Sequence, residues 1–320
     1  MPGASAMRLL LTGGLGFQGH ALAEHWTAMG HAVTVLNTPS QRAQEMAGRL
    51  TPPRHVLWGS VTDPELMRKA VRGVDAVVHL AAWTSVDESF HHPRAVWEVN
   101  AQAAYTVLEA IRSEAPAVRV LWASSCEVYG YTGAAAVDEL APLVPHSPYA
   151  AAKCAGERLA EAYAITYGLR LTILRPCNIF GPWQKTGRDG AVIPTFLAAA
   201  RAGGALQLTG DGSQRREFLF IDDLVAAYAL LLEADDLPWR VFNVGSGESC
   251  SIRDIADFLS ARYDVPIVAR ADLARPGEVV TFHLNCDRLR SLGWKPRTSF
   301  RMGLEQVLAW AEGEGSEWGR

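Results

Sequence analysis

The chain runs to 320 residues, 49% hydrophobic and 20% charged, with a formal net charge of −4, enough for a large core in one α/β unit or two closely joined domains. These proportions exclude a long disordered arm, and an acidic balance without any basic run excludes a non-specific nucleic-acid binder. The five cysteines, Cys126, Cys154, Cys177, Cys250 and Cys286, show neither CxxC nor His-paired spacing, so no disulfide framework and no metal site is expected, and a reducing cytoplasm is the expected compartment.

The start, MPGASAM, has no apolar signal core, and the run from Met7 to Leu11 is too short to span a bilayer; it reads as a first strand after a short leader. Further short β-rich runs come after it: HAVTVLN (31–37), HVLWGS (55–60), AVVHLAA (76–82), RVLWASS (119–125) and RLTILRP (170–176). Helical apolar spacing fills the gaps, clearest in AAYTVLEAIRSEA (103–115) and AAAKCAGERLAEAYAITYG (150–168). This alternation predicts a parallel, doubly wound sheet. After Pro176 the pattern breaks into the Gly- and Pro-rich stretches NIFGPWQKTGRDG and RAGGALQLTGDGSQRR, separated by the helical AVIPTFLAAA, before a strand VFNVGSG at 241–247. A smaller, loop-rich lobe is therefore expected, and the last residues, EGEGSEWGR, read as a frayed tail.

TGGLGFQG follows the first strand and opens a helix, giving GxGxxG at Gly14, Gly16 and Gly19 and GxxGxxG at Gly13, Gly16 and Gly19. Glycine is needed where the backbone turns tightly and approaches a pyrophosphate at a helix N-terminus, so this is a dinucleotide site. The second strand closes on Asn37 rather than the usual Asp or Glu, and Arg42 lies near in sequence. An amide bonds a ribose hydroxyl without repelling a 2′-phosphate, so NADP stays open beside the favoured NAD.

Tyr149 and Lys153 stand four apart in SPYAAAK on a predicted helix, on one face and one turn from each other. A tyrosinate beside a lysine charge removes a proton while hydride leaves the adjacent carbon, and Ser125, ending the fifth strand, is placed to bond the same hydroxyl. His79 reads as strand-end packing, His91 and His92 as a solvated loop, and Trp83 and Trp183 as the tryptophans nearest a substrate.

These motifs, with HLAA at 79–82, Asn100, SSCEVYG at 124–130, RPCNIFGP at 175–182, GDGSQRREFLFIDD at 210–223, VFNVGSG and RPGEV at 275–279, run from about residue 7 to 310. On them the chain resembles an extended short-chain dehydrogenase/reductase of the nucleotide-sugar epimerase/dehydratase family. The resemblance implies a Rossmann sheet with a smaller C-terminal substrate-binding lobe. The boundaries are 7–175 for the NAD-binding domain, with 217–246 returning to it, and 176–216 with 247–315 for the lobe. It implies cofactor contacts at Gly13, Gly16, Phe17, Gly19, Asn37, Ser60, Val61, Leu80, Ala81, Ala82, Asn100, Tyr149, Lys153 and Pro176. Ser60 stands where relatives often place the Asp that contacts adenine, leaving Asp63 as the remaining acid. Substrate contacts are implied at Ser85, Asn178, Val192, Arg216, Arg275 and Glu278, the arginines suiting a diphosphate by their forked donors. A homodimer through helices around 95–112 and 148–167 is implied as well.

Within such a family, oxidation at C4 of the sugar acidifies the C5 proton. The ketone then has three fates: loss of a C6 hydroxyl, loss of a C6 carboxylate, or re-reduction from the other face. The residues after Ser125 choose among these, and here they are Cys126 and Glu127. Glu127 supplies a C5 base, and Cys126 an acid for the C6 oxygen, since a thiol keeps its proton at neutral pH. The pair is similar to that of the UDP-N-acetylglucosamine 5,6-dehydratases of tunicamycin pathways, so dehydration is the expected reaction. GPWQKTGRDGAVIPTF resembles the loop of hexose 4-epimerases instead, so 4-epimerisation remains an alternative, as do UDP-glucuronate decarboxylation and a non-enzymatic sensor of NAD or sugar nucleotide.

Overall fold

A computed structural model describes residues 6–52, 55–130, 136–186, 191–270 and 283–313. Its strands in chain order are β1 (Arg8–Thr12), β2 (Ala32–Asn37), β3 (His55–Trp58), β4 (Ala76–His79), β5 (Arg119–Ala123), β6 (Arg170–Pro176), β7 (Asn178–Phe180), β8 (Leu206–Thr209), β9 (Arg215–Phe220), β10 (Val241–Val244), β11 (Ser249–Ser251) and β12 (Ile267–Arg270). The helices of the first half are α1 (Phe17–Ala28), α2 (Gln41–Arg49), α3 (Pro64–Val71), α4 (Val86–His91), α5 (Pro93–Trp97), α6 (Ala103–Glu114) and α7 (Pro148–Tyr167). Those of the second half are α8 (Val192–Arg201), α9 (Ile221–Glu233), α10 (Ile252–Tyr263), α11 (Asp287–Ser291) and α12 (Phe300–Glu312).

The main sheet has seven strands in the order β10-β6-β5-β4-β1-β2-β3, parallel in each pairing from β3 to β6. Chain order reverses between β1 and β4, the point at which an open parallel sheet forms its binding crevice. Leu9 to Leu11 and Ala76 to Val78 are buried throughout, which is why these strands read as unbroken apolar runs: both faces are covered by helices. On one face Leu10, Val77, Trp122 and Ile173 pack with Val107, Leu108 and Ile111 of α6 and Ala160 of α7, each large apolar side chain contributing about 1.5–3 kcal/mol by burial.

The longest helix, α7, has both ends written in its sequence. Ser147 accepts a hydrogen bond from the Ala150 amide, Pro148 occupies the first turn, and Gly168 closes the helix at φ +71°, the left-handed position glycine tolerates. Tyr149 is thereby fixed in the first turn.

Contacts group the described residues into two units. One holds those up to Val128 with Pro145–Arg175 and Val225–Phe242; the other holds Tyr129–Val144, Pro176–Leu224 and those from Asn243 onward. Tyr129–Val144 joins the second through the Tyr129 hydroxyl, which donates to Asn243 Oδ1 at 2.7 Å, and through a bridge between Val137 and Leu284. That unit also has a sheet in the order β11-β9-β7 and a pair of β12 with β8. Among the described residues no helix is long and apolar enough to cross a membrane, and none of the five cysteines forms a disulfide.

Candidate active site

The glycine loop lies at the switch point and is shaped by contacts that admit no side chain. Gly13 has φ +71°, and a Cβ there would stand 2.7 Å from the Ala81 amide nitrogen; one on Gly19 would stand 2.6 Å from Gly14 Cα. Gly16 caps α1 without a side-chain bond, and no acidic residue occupies the first turn, which opens with Phe17. The N-terminal amides of α1 are thus left bare of side-chain caps, a fit to the pyrophosphate of a dinucleotide. Asn37 braces this loop, its Oδ1 accepting from the Leu15 amide at 3.3 Å and its Nδ2 donating to Thr38 O at 3.1 Å. Leu80, Ala81 and Ala82 follow β4 alongside, the Leu80 amide donating to Thr12 O at 3.0 Å.

Other residues near the loop are already engaged. Ser60 shares a hydrogen bond with the Thr62 hydroxyl at 2.8 Å, Val61 is buried in the core, and Asp63 caps α3 by accepting from the Glu65 and Leu66 amides. Arg42 is partly buried, and that burial lowers its pKa against the opposing pull of Glu45.

The Ser125 hydroxyl acts on the Tyr149 phenol, and Ser125 Oγ accepts from the Glu127 amide at 3.2 Å. Burial pushes the Tyr149 phenol above its ordinary range; Ser125 pulls it back, while Glu127 and Cys126 add to the rise. Ser125 follows β5 directly, and Cys126 and Glu127 begin the short 3-10 turn Cys126–Tyr129 after it. Lys153, one turn along α7, is buried and donates to the Ala123 carbonyl at 2.5 Å. Burial lowers its pKa to about 8, with Glu157 opposing the fall.

Around this group the backbone is held by side chains. Asn100 lies in a single π-helical turn, Glu98–Gln102, a distortion frequent at functional sites, and its amide bonds both polar groups of Trp83. Trp83 in turn packs beside a cluster of Val96, Ala101, Tyr149 and Ala152. Ser85 is the N-cap of α4, accepting from the Glu88 amide at 3.1 Å. His79 bonds Thr12 Oγ1 through Nδ1 at 2.8 Å and lies against Trp122, and burial, with Lys153 adding, holds its pKa down at about 3. His91 and His92 are exposed, His92 pairing with Glu88 at 3.6 Å.

In the second unit Asn178 and Arg216 lie on neighbouring strands, with Asn178 opposite Phe218 in register. Asn178 Nδ2 donates to Glu217 O at 3.0 Å, and Arg216 Nη1 to Arg215 O at 3.0 Å. Pro176 ends β6 and Val192 begins α8. Trp183 has φ +67° and packs edge-on against Trp310 at 4.7 Å. Glu217 is buried, accepting from the Gly247 and Leu284 amides at 2.6 Å each, and burial pushes its pKa up to about 7. Arg275 and Glu278 lie outside the described residues.

A family model, the NAD dependent epimerase/dehydratase family, matches residues 9–245. The chain belongs to this family. It is 32% identical over 327 residues to the dTDP-glucose 4,6-dehydratase of Streptomyces niveus, covering 98% of this chain and 95% of that protein. It is 28% identical over 305 residues to a putative UDP-glucose 4-epimerase of Methanocaldococcus jannaschii, covering 94% and 97%. Among solved structures it superposes on the UDP-glucose 4-epimerase of Thermotoga maritima with a TM-score of 0.89 at 28% identity, over 96% and 99% of the two chains. On the dTDP-glucose 4,6-dehydratase DesIV of Streptomyces venezuelae the TM-score is 0.86 at 33% identity, over 98% and 99%. As an epimerase/dehydratase family member the protein is an enzyme that interconverts nucleotide sugars with NAD as cofactor.

Sequence reasoning passed over one buried part of this epimerase/dehydratase site: Glu157, paired with Arg175 and bonded by Ser124. A signal for it was present, because Glu157 continues the four-residue spacing that relates Tyr149 to Lys153.

Proposed function

We propose that the enzyme is a nucleotide-sugar dehydratase, acting on a UDP-hexose or UDP-N-acetylhexosamine through a 4-keto intermediate. The observation that carries this reading is the pair Cys126 and Glu127 directly after Ser125, on the short turn that follows β5, both acting electrostatically on the Tyr149 phenol. Bound NAD would supply the hydride chemistry, holding the hydride from C4 and returning it to C4 once water has left. Tyr149 accepts the proton of the C4 hydroxyl, Ser125 bonds the same oxygen, and Lys153 supplies the positive charge that a phenolate in a buried site requires. Glu127 removes the C5 proton, made acidic by the adjacent ketone, and the Cys126 thiol protonates the departing C6 oxygen, so that one water leaves. Asn178, Val192, Arg216, Arg275 and Glu278, with Ser85, serve as contacts to the sugar nucleotide, and the Cys-Glu pair remains the basis of the likeness to 5,6-dehydratases.

The enzyme is cytoplasmic in this reading, and the working form is a homodimer through α6 and α7, whose Tyr105, Ile165 and Tyr167 are exposed. Large apolar side chains exposed together on adjoining helices suit burial against a second copy.

Mass spectrometry of the products tests the reaction. The purified protein is incubated without added cofactor with UDP-N-acetylglucosamine, UDP-glucose, UDP-glucuronate and their GDP and dTDP counterparts. Loss of one water is expected. The second reading is 4-epimerisation, favoured by the loop GPWQKTGRDGAVIPTF and by the likeness to the T. maritima epimerase. It predicts unchanged mass with a shifted retention time, whereas loss of carbon dioxide marks a decarboxylase.

A further inference from the structure

Helix α7 and the end of β5 are joined by a run of polar contacts, only part of which the proposed chemistry uses. Tyr149, Lys153 and Glu157 succeed one another at one-turn spacing, and each meets a different residue of the strand end. Tyr149 feels the Ser125 hydroxyl, Lys153 Nζ donates to Ala123 O, and Ser124 Oγ donates to Glu157 Oε2 at 2.5 Å. The Ser124 amide donates to Leu174 O at 2.8 Å, tying the same strand end to β6. One residue farther along β6, Arg175 Nε donates to both Glu157 oxygens at 3.1 and 3.2 Å, and its Nη2 pairs with Glu157 Oε1. Both side chains of this pair are at most 2% exposed.

A buried ion pair is a poor source of stability, because desolvating two charges offsets most of their attraction and an apolar pair of the same volume often does as well. What an apolar pair cannot do is hold a carboxylate one turn behind an ammonium in a low-dielectric interior. The titratable groups that act with Lys153 are Glu157, one turn on along its own helix, and His79 from β4, with Tyr149 one turn before it on the same helix. Burial acts against the Lys153 charge, and Glu157 is the group that favours it. His79, uncharged near neutral pH, leaves that balance alone.

We propose that Ser124, Glu157 and Arg175 are positioning residues for the hydride-transfer site. Arg175 fixes the Glu157 carboxylate, Glu157 holds the Ser124 backbone so that Ala123 O and Ser125 Oγ are aimed, and the same carboxylate keeps the Lys153 ammonium charged. The inference rests on the reading in which Tyr149 and Lys153 drive C4 oxidation, and it is indifferent to whether water is then lost.

The test titrates Lys153 in the full-length enzyme by NMR of 13Cε-labelled lysine, with the Lys153 resonance assigned by its loss in Lys153→Met. Glu157→Gln is expected to move the Lys153 midpoint down by about one pH unit. It is also expected to move the alkaline limb of kcat by the same amount on whichever sugar nucleotide of the panel is turned over, with KM within about twofold. Glu157→Asp restores both midpoint and limb. Ser124→Ala, which removes one hydroxyl, lowers kcat about tenfold at unchanged KM and midpoint. A folded Glu157→Gln with the wild-type midpoint overturns the proposal. Should Glu157→Gln fail to fold, a Ser124→Ala enzyme with wild-type kcat overturns it instead. Full activity in Lys153→Met removes the underlying reading, a result distinct from either.

Discussion

The side-chain amide of Asn100 pairs with both polar groups of the Trp83 peptide unit: its Oδ1 accepts from the Trp83 amide at 2.7 Å and its Nδ2 donates to the Trp83 carbonyl at 2.9 Å. A buried amide used this way fixes the loop after β4 as a strand partner would, and it explains why the π-helical turn is kept. Asn100 lies at the middle of that turn, Glu98–Gln102, and is buried there. Asn100→Asp keeps the acceptor but sets a carboxylate against the Trp83 carbonyl, and Asn100→Ala leaves both Trp83 groups unpaired. Each is expected to cost about 1–3 kcal/mol in urea unfolding, with weaker NAD binding.

Gly13→Ala forces a Cβ to within 2.7 Å of the Ala81 amide nitrogen at a φ of +71°. Neither backbone has room to yield without shifting β4 against β1. A loss of about 1–3 kcal/mol is expected, together with loss of NAD binding by fluorescence titration. Gly30→Ala, where φ is +85° but a Cβ meets nothing within 4 Å, separates strain from crowding and leaves NAD binding intact.

Tyr149→Phe removes the proposed proton acceptor and is expected to reduce kcat by about two to four orders of magnitude. Glu127→Gln is expected to behave differently. Hydride transfer from C4, followed at 340 nm in a single turnover, persists, while exchange of the C5 proton with deuterated water stops. Unchanged product formation by Glu127→Gln removes that residue from the mechanism.

His79 gives the fold a defined pH dependence. Its pKa is held at about 3 by burial and then by Lys153, below the ordinary imidazole value near 6.5, so below about pH 6.5 the unfolded chain takes up a proton that the folded one refuses. Stability from this group is complete above about pH 6.5 and declines as pH falls toward 3, by at most about 1.4 kcal/mol per pH unit. Urea unfolding at pH 7.5, 6 and 5 should show His79→Gln losing less with acidification than the parent protein. Parallel losses would mean that other groups carry the acid dependence.

For the proposed dimer, Ile165→Asp places a charge on the most exposed large apolar side chain of α7. Sedimentation should then report a monomer where the parent protein is dimeric, and a parent protein that sediments as a monomer would remove the interface.

The sequence by itself determined the strands of the main sheet, the two ends of α7 and the glycine loop. Each is set by local chemistry: continuous apolar runs for strands covered on both faces, Ser147-Pro148 and Gly168 as helix punctuation, and glycines where a Cβ has no place. It also determined that Tyr149 and Lys153 share a face, because a four-residue spacing on a helix leaves no alternative. Tertiary structure decided which groups meet from distant parts of the chain. The Asn100 amide turns to Trp83, Ser85 and Asp63 serve as helix caps, Lys153 reaches for Ala123 O, and Glu157 meets Arg175 eighteen residues on. Those partnerships depend on where β4, β5 and β6 lie beside α7, and a buried polar group takes whichever partner the packing brings within about 3 Å, information that spacing along one element does not contain.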